Sequence, residues 1–399
     1  MLFRSRLWWR GRREPGYRRF IGERLGRYRR AAPAKLLWIH AVSVGEVRAA
    51  SPLVQALRAA LPDHALLLTC TTAAGRATLE QLYGESAEIA YVPYDYPGAA
   101  QKFLRHFQPR LGILMETEVW PNLVGACLEN AIPVFLANAR MSERSARRYA
   151  RWKPVVKPAF GSLSAVCAQS EADAQRLRAL GARNVAVSGN LKFDAELDAG
   201  QLESGRLWRQ RVARPVLLFA STREGEEKML IDSLPAWDGK LLVTVVPRHP
   251  RRFDEVAQLA QSRRTREALP AASDRIYLGD TMGEMGFYLA ACDVAVIGGS
   301  FLPLGGQNLI EALAAGAPVV AGPSMFNFAE ATRLALAAGA AIQAADAPGA
   351  LELAFALLRD SRKRETMAEA GRALCAQHRG ATARHLQVCL RLLGEKIGA

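Results

Sequence analysis

The chain has 399 residues, of which 50% are hydrophobic and 23% charged; this excludes a disordered tail and suggests two domains of about 100–200 residues each. Its 53 basic and 38 acidic residues leave a net charge of +15, unevenly spread: residues 1–30 hold 11 Arg against only Glu14 and Glu23, so +9 lies there and +6 on the other 369. A basic N-terminal arm on a nearly balanced body points to a polyanionic surface, either nucleic acid or anionic lipid. The six cysteines lie far apart without a C-x-x-C pair, mostly inside apolar segments, as expected in a reducing, cytosolic compartment. Arg4, Arg6 and Arg10 leave no apolar h-region behind Met1, so no signal peptide is expected. The longest uncharged stretch, 18 residues between Glu311 and Glu330, is broken by Gly316, Pro318, Gly322 and Pro323 and reads as helix, strand and loop rather than a membrane span.

Apolar runs of strand length alternate with helix-period segments along the chain, the pattern of parallel sheets covered by helices on both faces. A first series predicts strands at 36–41, 65–69, 89–92, 111–115, 134–137 and 166–168, with helices between them, for instance at 47–60 and 73–82. The series stops at a polar stretch, 195–213, and restarts with strands at 216–220, 241–246, 275–278, 294–297, 319–321 and 341–344. Residues 350–393 read as consecutive helices able to pack back across the join. The expected fold class is α/β, with two doubly wound, Rossmann-like domains. The expected division is an arm at 1–30, an N-terminal domain at 31–200 and a C-terminal domain at 201–399. In such sheets ligands bind beyond the carboxyl ends of the strands, which places the expected site in the cleft of two facing domains.

The turns at those strand ends carry the candidate chemistry. After the first strand, Ser43 and Gly45 suit a tight turn and Glu46 falls in the first helical turn. Glu46 is there either a cap that complements the helix dipole or a carboxylate placed to take a proton from a hydroxyl. The loop Met115-Glu116-Thr117-Glu118-Val119-Trp120-Pro121-Asn122 sets two acids beside a Trp-Pro pair, either as helix caps and core or as a functional carboxylate. In Ser188-Gly189-Asn190-Leu191-Lys192, the lysine is either a solvated surface residue or a point charge for an anion. In the second series, Arg248 is held by Pro247 and Pro250 and could clamp a phosphate or carboxylate. Gly283, within Asp280-Thr281-Met282-Gly283-Glu284, begins a helix whose free N–H groups would suit an anion. Gly298-Gly299-Ser300 and Gly305-Gly306-Gln307-Asn308-Leu309-Ile310-Glu311 let the backbone approach a phosphate, with Glu311 able to accept from ribose hydroxyls. His40 and His249 stand at strand ends, in substrate contact or in structural roles. The six histidines form no H-x-x-x-H or Cys/His cluster, and no P-loop, G-x-S-x-G elbow or G-x-G-x-x-G after the first strand occurs, so neither a metal nor a cofactor is expected.

These residues, together with Trp38-Ile39-His40-Ala41-Val42-Ser43-Val44-Gly45-Glu46, Ala137-Asn138-Ala139-Arg140 and Leu191-Lys192-Phe193-Asp194, resemble in order the motif set of the 3-deoxy-D-manno-octulosonic acid (Kdo) transferases, which build the inner core of Gram-negative lipopolysaccharide. The resemblance implies a GT-B architecture with the acceptor on the first domain and CMP-Kdo on the second. It implies an inverting, metal-independent transfer to a lipid A precursor (lipid IVA) at the cytoplasmic face of the inner membrane. By the same resemblance Glu46 is the general base and Glu116 and Lys192 support the transition state. The donor falls on Pro247, Arg248, Met282, Gly283, Glu284, Asn308, Leu309, Ile310 and Glu311. Members of this family usually begin with a hydrophobic anchor, which this chain lacks. Leu7-Trp8-Trp9-Arg10-Gly11-Arg12-Arg13 resembles the basic stretch that follows the anchor, so either the true start lies upstream or the chain meets anionic lipid peripherally. Two rivals remain: a sugar-nucleotide epimerase of the same build, and a nucleic-acid binder, for which no reader motif is present. Nothing in the sequence sets an oligomeric state.

Overall fold

The computed structural model describes residues 15–29, 31–235 and 240–395. The chain forms two compact units, residues 1–195 with 378–399, and residues 196–377.

Unit 1 is built on seven parallel strands: β1 (Leu36–His40), β2 (Ala65–Cys70), β3 (Glu88–Tyr91), β4 (Leu111–Met115), β5 (Val134–Ala139), β6 (Ala165–Ala168) and β7 (Val185–Val187), in the order β3-β2-β1-β4-β5-β6-β7. The central strands are apolar except for His40 and Asn138 at their carboxyl ends because helices cover both faces; every residue of β1, β4 and β5 is buried. Those helices are α1 (Val44–Ala60), α2 (Ala73–Tyr83), α3 (Pro97–Phe107), α4 (Pro121–Glu129), α5 (Glu143–Ala150), α6 (Lys153–Gly161) and α7 (Glu171–Ala179). β1 pairs with β2 on one side and β4 on the other, so the order of strands reverses direction there. Loops leaving β1 and β4 therefore diverge and open a crevice at the carboxyl edge.

Unit 2 repeats the plan with β8 (Val216–Thr222), β9 (Leu242–Pro247), β10 (Ser262–Arg263), β11 (Ile276–Leu278), β12 (Val294–Ile297), β13 (Val319–Ala321) and β14 (Ala341–Gln343), all parallel in the order β10-β11-β9-β8-β12-β13-β14. Its reversal point lies between β8 and β12. Its helices are α8 (Ala199–Val212), α9 (Glu226–Asp232), α10 (Phe253–Ala257), α11 (Met285–Ala290), α12 (Leu309–Ala315), α13 (Ala329–Ala337), α14 (Ala347–Arg359) and α15 (Ser361–His378). The last helix, α16 (Ala381–Leu393), belongs to unit 1, where Cys389 and Leu390 join the cluster that contains Leu53 and Leu57 of α1.

Four features differ from the sequence reading. The division falls at 195/196 rather than at 200/201, and α16 leaves the second unit because its apolar face completes the cover of the first sheet. The polar stretch 195–213 contains α8; only Gly205 and Trp208 of that helix are buried, too narrow a stripe to show as periodicity. β7 and β10 were not predicted because they are short edge strands, with Ala186 and Val187 exposed and β10 only two residues long. Finally, residues 15–29 are part of unit 1 rather than a separate arm. Arg24 is buried, donates to Thr71 O at 3.0 Å and lies 3.8 Å from the Tyr91 ring, while Tyr28 packs edge-on against Phe107 at 4.7 Å. Burying a guanidinium is tolerable only with such partners. Residues 1–14, with the Trp8-Trp9 pair, lie outside the described residues.

Gly205 lets α8 lie directly on α11: a Cβ there would collide with Phe287 O and come within 2.9 Å of Ala290 Cβ. Gly205→Ala is therefore expected to destabilise unit 2 by about 1–3 kcal/mol, the usual cost of overpacking, despite the better helix propensity of alanine. A denaturation midpoint equal to that of the wild type would show that the helices can part without cost.

Candidate active site

In unit 1 four charged side chains from separate segments gather at the carboxyl edge around the β1/β4 reversal. Glu46 is in the first turn of α1, Glu116 follows β4, Arg140 follows β5, and Lys192 sits in the short 3-10 turn Leu191–Asp194 after β7. Glu116 is 5% exposed and holds a left-handed backbone, φ +54°. Its two oxygens are divided between cations: Arg140 Nε donates to Oε2 at 2.7 Å and Lys192 Nζ to Oε1 at 3.2 Å. Burial raises its affinity for a proton, but Lys192 and Arg140 outweigh burial and hold the carboxyl below its ordinary value. Lys192 is thus paired with Glu116 and mostly buried, not a solvated surface residue.

Glu46 fills the capping role at the start of α1. Its Oε2 accepts the N–H of Val42 at 2.9 Å and its Oε1 the hydroxyl of Ser43, the N-cap residue, at 3.4 Å, a close relative of a capping box. Burial, then the charges of Glu116 and Glu118, push its pKa up to about 8 against the weaker pull of the Val42 N–H and Arg140. Glu118 accepts from Trp120 Nε1 at 2.8 Å. Neither Thr117 nor Glu118 caps α4: Asp95 does so, accepting the N–H groups of Asn122 at 3.2 Å and Leu123 at 2.8 Å. His40 is fully buried against Thr69, its Nδ1 2.9 Å from the hydroxyl, and burial lowers its pKa to about 3, so it is neutral.

Lys192 is placed by Asn138 and Asp194, which the sequence reading quoted within motifs but gave no role, and by His385. Asn138 adopts φ +51° at the end of β5, and its Oδ1 accepts the N–H of Leu191 at 3.0 Å. His385 of α16 holds that asparagine: its Nε2 accepts the Asn138 N–H at 2.9 Å, while Nδ1 lies 2.7 Å from Ala381 O. Burial lowers the His385 pKa to about 4, which suits an accepting Nε2. Asp194 in turn caps α16 through the N–H groups of Gly380 at 2.7 Å and Thr382 at 2.5 Å. In the sequence these are an asparagine at the end of an apolar run and a lone histidine, and the bond between them spans 247 residues of chain, as the Asp194–Gly380 bond spans 186.

In unit 2 the predicted turns all leave the carboxyl edge of one sheet. Arg248 N–H bonds Thr222 O at 2.9 Å, which holds the Pro247 turn on the end of β8. His249 is kept neutral, its pKa lowered to about 4 by burial and by the nearby arginines 223, 248, 251 and 252. Met282 is exposed, Gly283 has φ +84° and its carbonyl accepts from Gln201 at 2.9 Å, and Glu284 lies 3.4 Å from Arg264. Asn308 caps α12 through Ile310 N–H at 3.1 Å and donates to Glu311 at 2.9 Å. Leu309 and Ile310 are buried, and the Ile310 N–H is taken by Asn308.

The residue that joins these turns, Glu226, was missed. It is fully buried at the β8/β12 reversal and accepts three backbone N–H groups: Gly299 at 2.5 Å, Arg223 at 2.9 Å and Phe301 at 3.0 Å. Gly299 O then receives Gly306 N–H at 2.7 Å, which ties the carboxylate to the loop that leads into α12. Beside it, Glu227 pairs with buried Arg252 at 3.0 Å and accepts from Thr222 Oγ1 at 2.8 Å. In the sequence these two acids look like an ordinary first helical turn.

Two doubly wound parallel sheets with anion-compatible turns at their carboxyl edges define the GT-B class. Anabaena Alr3699/HepE, solved with UDP and glucose, shares the fold at 17% identity and a TM-score of 0.59, over 90% of this chain and 99% of that one. The family model of the 3-deoxy-D-manno-octulosonic-acid transferase (kdotransferase) matches residues 19–195. The chain is 46% identical to the 3-deoxy-D-manno-octulosonic acid transferase of Bordetella pertussis, over 97% of this chain and 95% of that protein, and 36% identical to that of Haemophilus influenzae, over 94% and 92%. It belongs to the Kdo transferase family and is a glycosyltransferase; the epimerase reading is not favoured.

Proposed function

We propose that the chain transfers Kdo from CMP-Kdo to a lipid A precursor, lipid IVA, with inversion and without a metal, in lipopolysaccharide core synthesis. The observation that carries this reading is Glu46, a carboxyl at the reversal point of its sheet whose pKa is raised to about 8. A general base works best with a pKa near the working pH. The Glu46 carboxylate takes the proton of a glucosamine hydroxyl as that oxygen bonds to the anomeric carbon of Kdo; the bond from that carbon to phosphate breaks and CMP leaves. Glu116 and Lys192 support the transition state, Glu116 by its placement and Lys192 by positioning Glu116. Arg248, with the Pro247 turn and the backbone of Met282, Gly283 and Glu284, meets the phosphate and the sugar acid. Asn308, Leu309, Ile310 and Glu311 meet the nucleoside. The reaction takes place at the cytoplasmic face of the inner membrane, where basic residues of the N-terminal segment other than the buried Arg24 meet anionic lipid. No helix among the described residues is long and apolar enough to cross a membrane.

Mass spectrometry of a reaction with CMP-Kdo and a tetra-acylated acceptor tests the reading: the expected product is the acceptor plus Kdo, with CMP released. A free sugar nucleotide as product would refute it. The pH profile is a second test. Because the base acts deprotonated and its pKa is raised to about 8, kcat/KM is expected to climb with pH and level off above that value. A profile already flat from pH 5 would remove Glu46 from the role.

A further inference from the structure

We propose that Arg223 joins Arg248 in unit 2 as a donor-binding residue and takes the carboxylate of the transferred sugar acid. The loop that carries it is held in place by its neighbours. β8 ends on an irregularity, its register to β9 shifting between Ala220 and Thr222, and Ser221 there has a left-handed backbone, φ +58°. A residue other than glycine keeps such a conformation only where the surroundings over-determine it, and such strain gathers at ligand sites. Gly298, at the end of β12, supplies part of that constraint: a Cβ on it would stand 2.5 Å from Thr222 Cα. Arg223 then gives its N–H to the buried Glu226 at 2.9 Å. Its backbone is thus fixed at the β8/β12 reversal, the point where an open α/β sheet binds its ligand.

The side chain is what the fold leaves without a use. Arg223 is half-buried, and among the described residues it enters no ion pair. The acids that follow it are committed elsewhere: Glu226 to three backbone N–H groups, and Glu227 to Thr222 and Arg252. In the parallel register Thr222 stands opposite Pro247, so Arg223 and Arg248 leave neighbouring strands side by side. Both lie close enough to His249 to help lower its pKa. Like charges so placed repel, and an anion between them relieves the repulsion. The donor of the transfer reading, on which this inference rests, brings two anions on one atom. The anomeric carbon of Kdo bears both its carboxylate and the oxygen bonded to phosphate. Two adjacent guanidinium groups, on strands about 4.8 Å apart, match that pair with one fork for each anion. A neutral sugar on the same nucleotide would leave Arg223 without its anion, so the residue selects for a sugar acid.

Calorimetric titration of the full chain with CMP-Kdo and, separately, with CMP tests the assignment, in the absence of acceptor. In Arg223→Gln the affinity for CMP-Kdo is expected to fall about ten- to hundred-fold, the worth of a hydrogen bond to a charged group. CMP, which has no carboxylate, is expected to bind within two-fold of the wild type. Its retained binding also shows that unit 2 is folded, and the substitution leaves in place the backbone N–H that Glu226 accepts. Unchanged affinity of the variant for CMP-Kdo, or an equal loss for both ligands, would overturn the proposal. A wild type that does not bind CMP-Kdo would refute the transfer reading and this inference with it, whereas wild-type affinity in the variant refutes this inference alone.

Discussion

Glu46→Gln is expected to lower transfer by about 10²–10⁴-fold, the usual contribution of a positioned general base, while CMP binding stays within two-fold of the wild type as measured by calorimetry. The amide oxygen can still accept the Val42 N–H that Glu46 holds at 2.9 Å, so the start of α1 keeps its cap. What the amide cannot do is carry away a proton. The same substitution separates catalysis from stability. Burial and the charges of Glu116 and Glu118 raise the Glu46 pKa from 4.5 to about 8, so the folded chain holds that proton more tightly than the unfolded chain does. Stability from this group is fully present below the unfolded value and is lost as pH rises towards 8. The variant escapes that loss, and its melting temperature is expected to exceed that of the wild type increasingly between pH 5 and 8.5. Retained turnover would assign the base elsewhere; a melting difference that shrinks with rising pH would mean that the acids do not repel.

Glu226→Ala is expected to strip unit 2 of about 3 kcal/mol or more and to weaken CMP-Kdo binding at least ten-fold. The carboxylate is fully buried and receives the N–H groups of Gly299, Arg223 and Phe301. Removing it leaves donors without partners inside the protein, each at about 1–3 kcal/mol, and hydrogen bonds to a charged acceptor are the stronger kind. The effect on the donor follows from geometry, because Gly299 O holds Gly306 N–H and so fixes the entry to Asn308 and Glu311. Glu224, two residues earlier and exposed, is the control: Glu224→Ala is expected to change stability by less than about 0.5 kcal/mol. A Glu226→Ala protein that melts normally and binds CMP-Kdo normally would show that the glycine loop holds its own shape.

Much of the fold was legible in the chain. Twelve strands stand within a residue or two of their predicted places because a parallel strand covered on both faces must be an unbroken apolar run, such as Leu111–Met115 or Val294–Ile297. The exceptions obey the same rule. Ala186 and Val187 on edge strand β7 are exposed, and α8 buries only Gly205 and Trp208, so neither segment carries a pattern strong enough to read. The arm shows the limit of composition: Arg24 counts as one more positive charge in the sequence, yet the structure buries it over Tyr91.

The sequence by itself determined which turns stand at the carboxyl edges of the two sheets, since glycine, proline and acidic residues there follow apolar runs. It also determined the family, through motifs such as Val44-Gly45-Glu46 and Asn308-Leu309-Ile310-Glu311. Only the tertiary structure decided how those turns work together. Pairing β1 with β4 and β8 with β12 is a choice among strands far apart in the chain, and local periodicity does not encode it. That choice sets Lys192 on Glu116, puts the Glu116 charge to work on Glu46, and makes Glu226 the acceptor that joins two turns. A carboxylate's proton affinity depends on burial and on the charges a few ångströms away, and those are properties of the folded arrangement rather than of the order of residues.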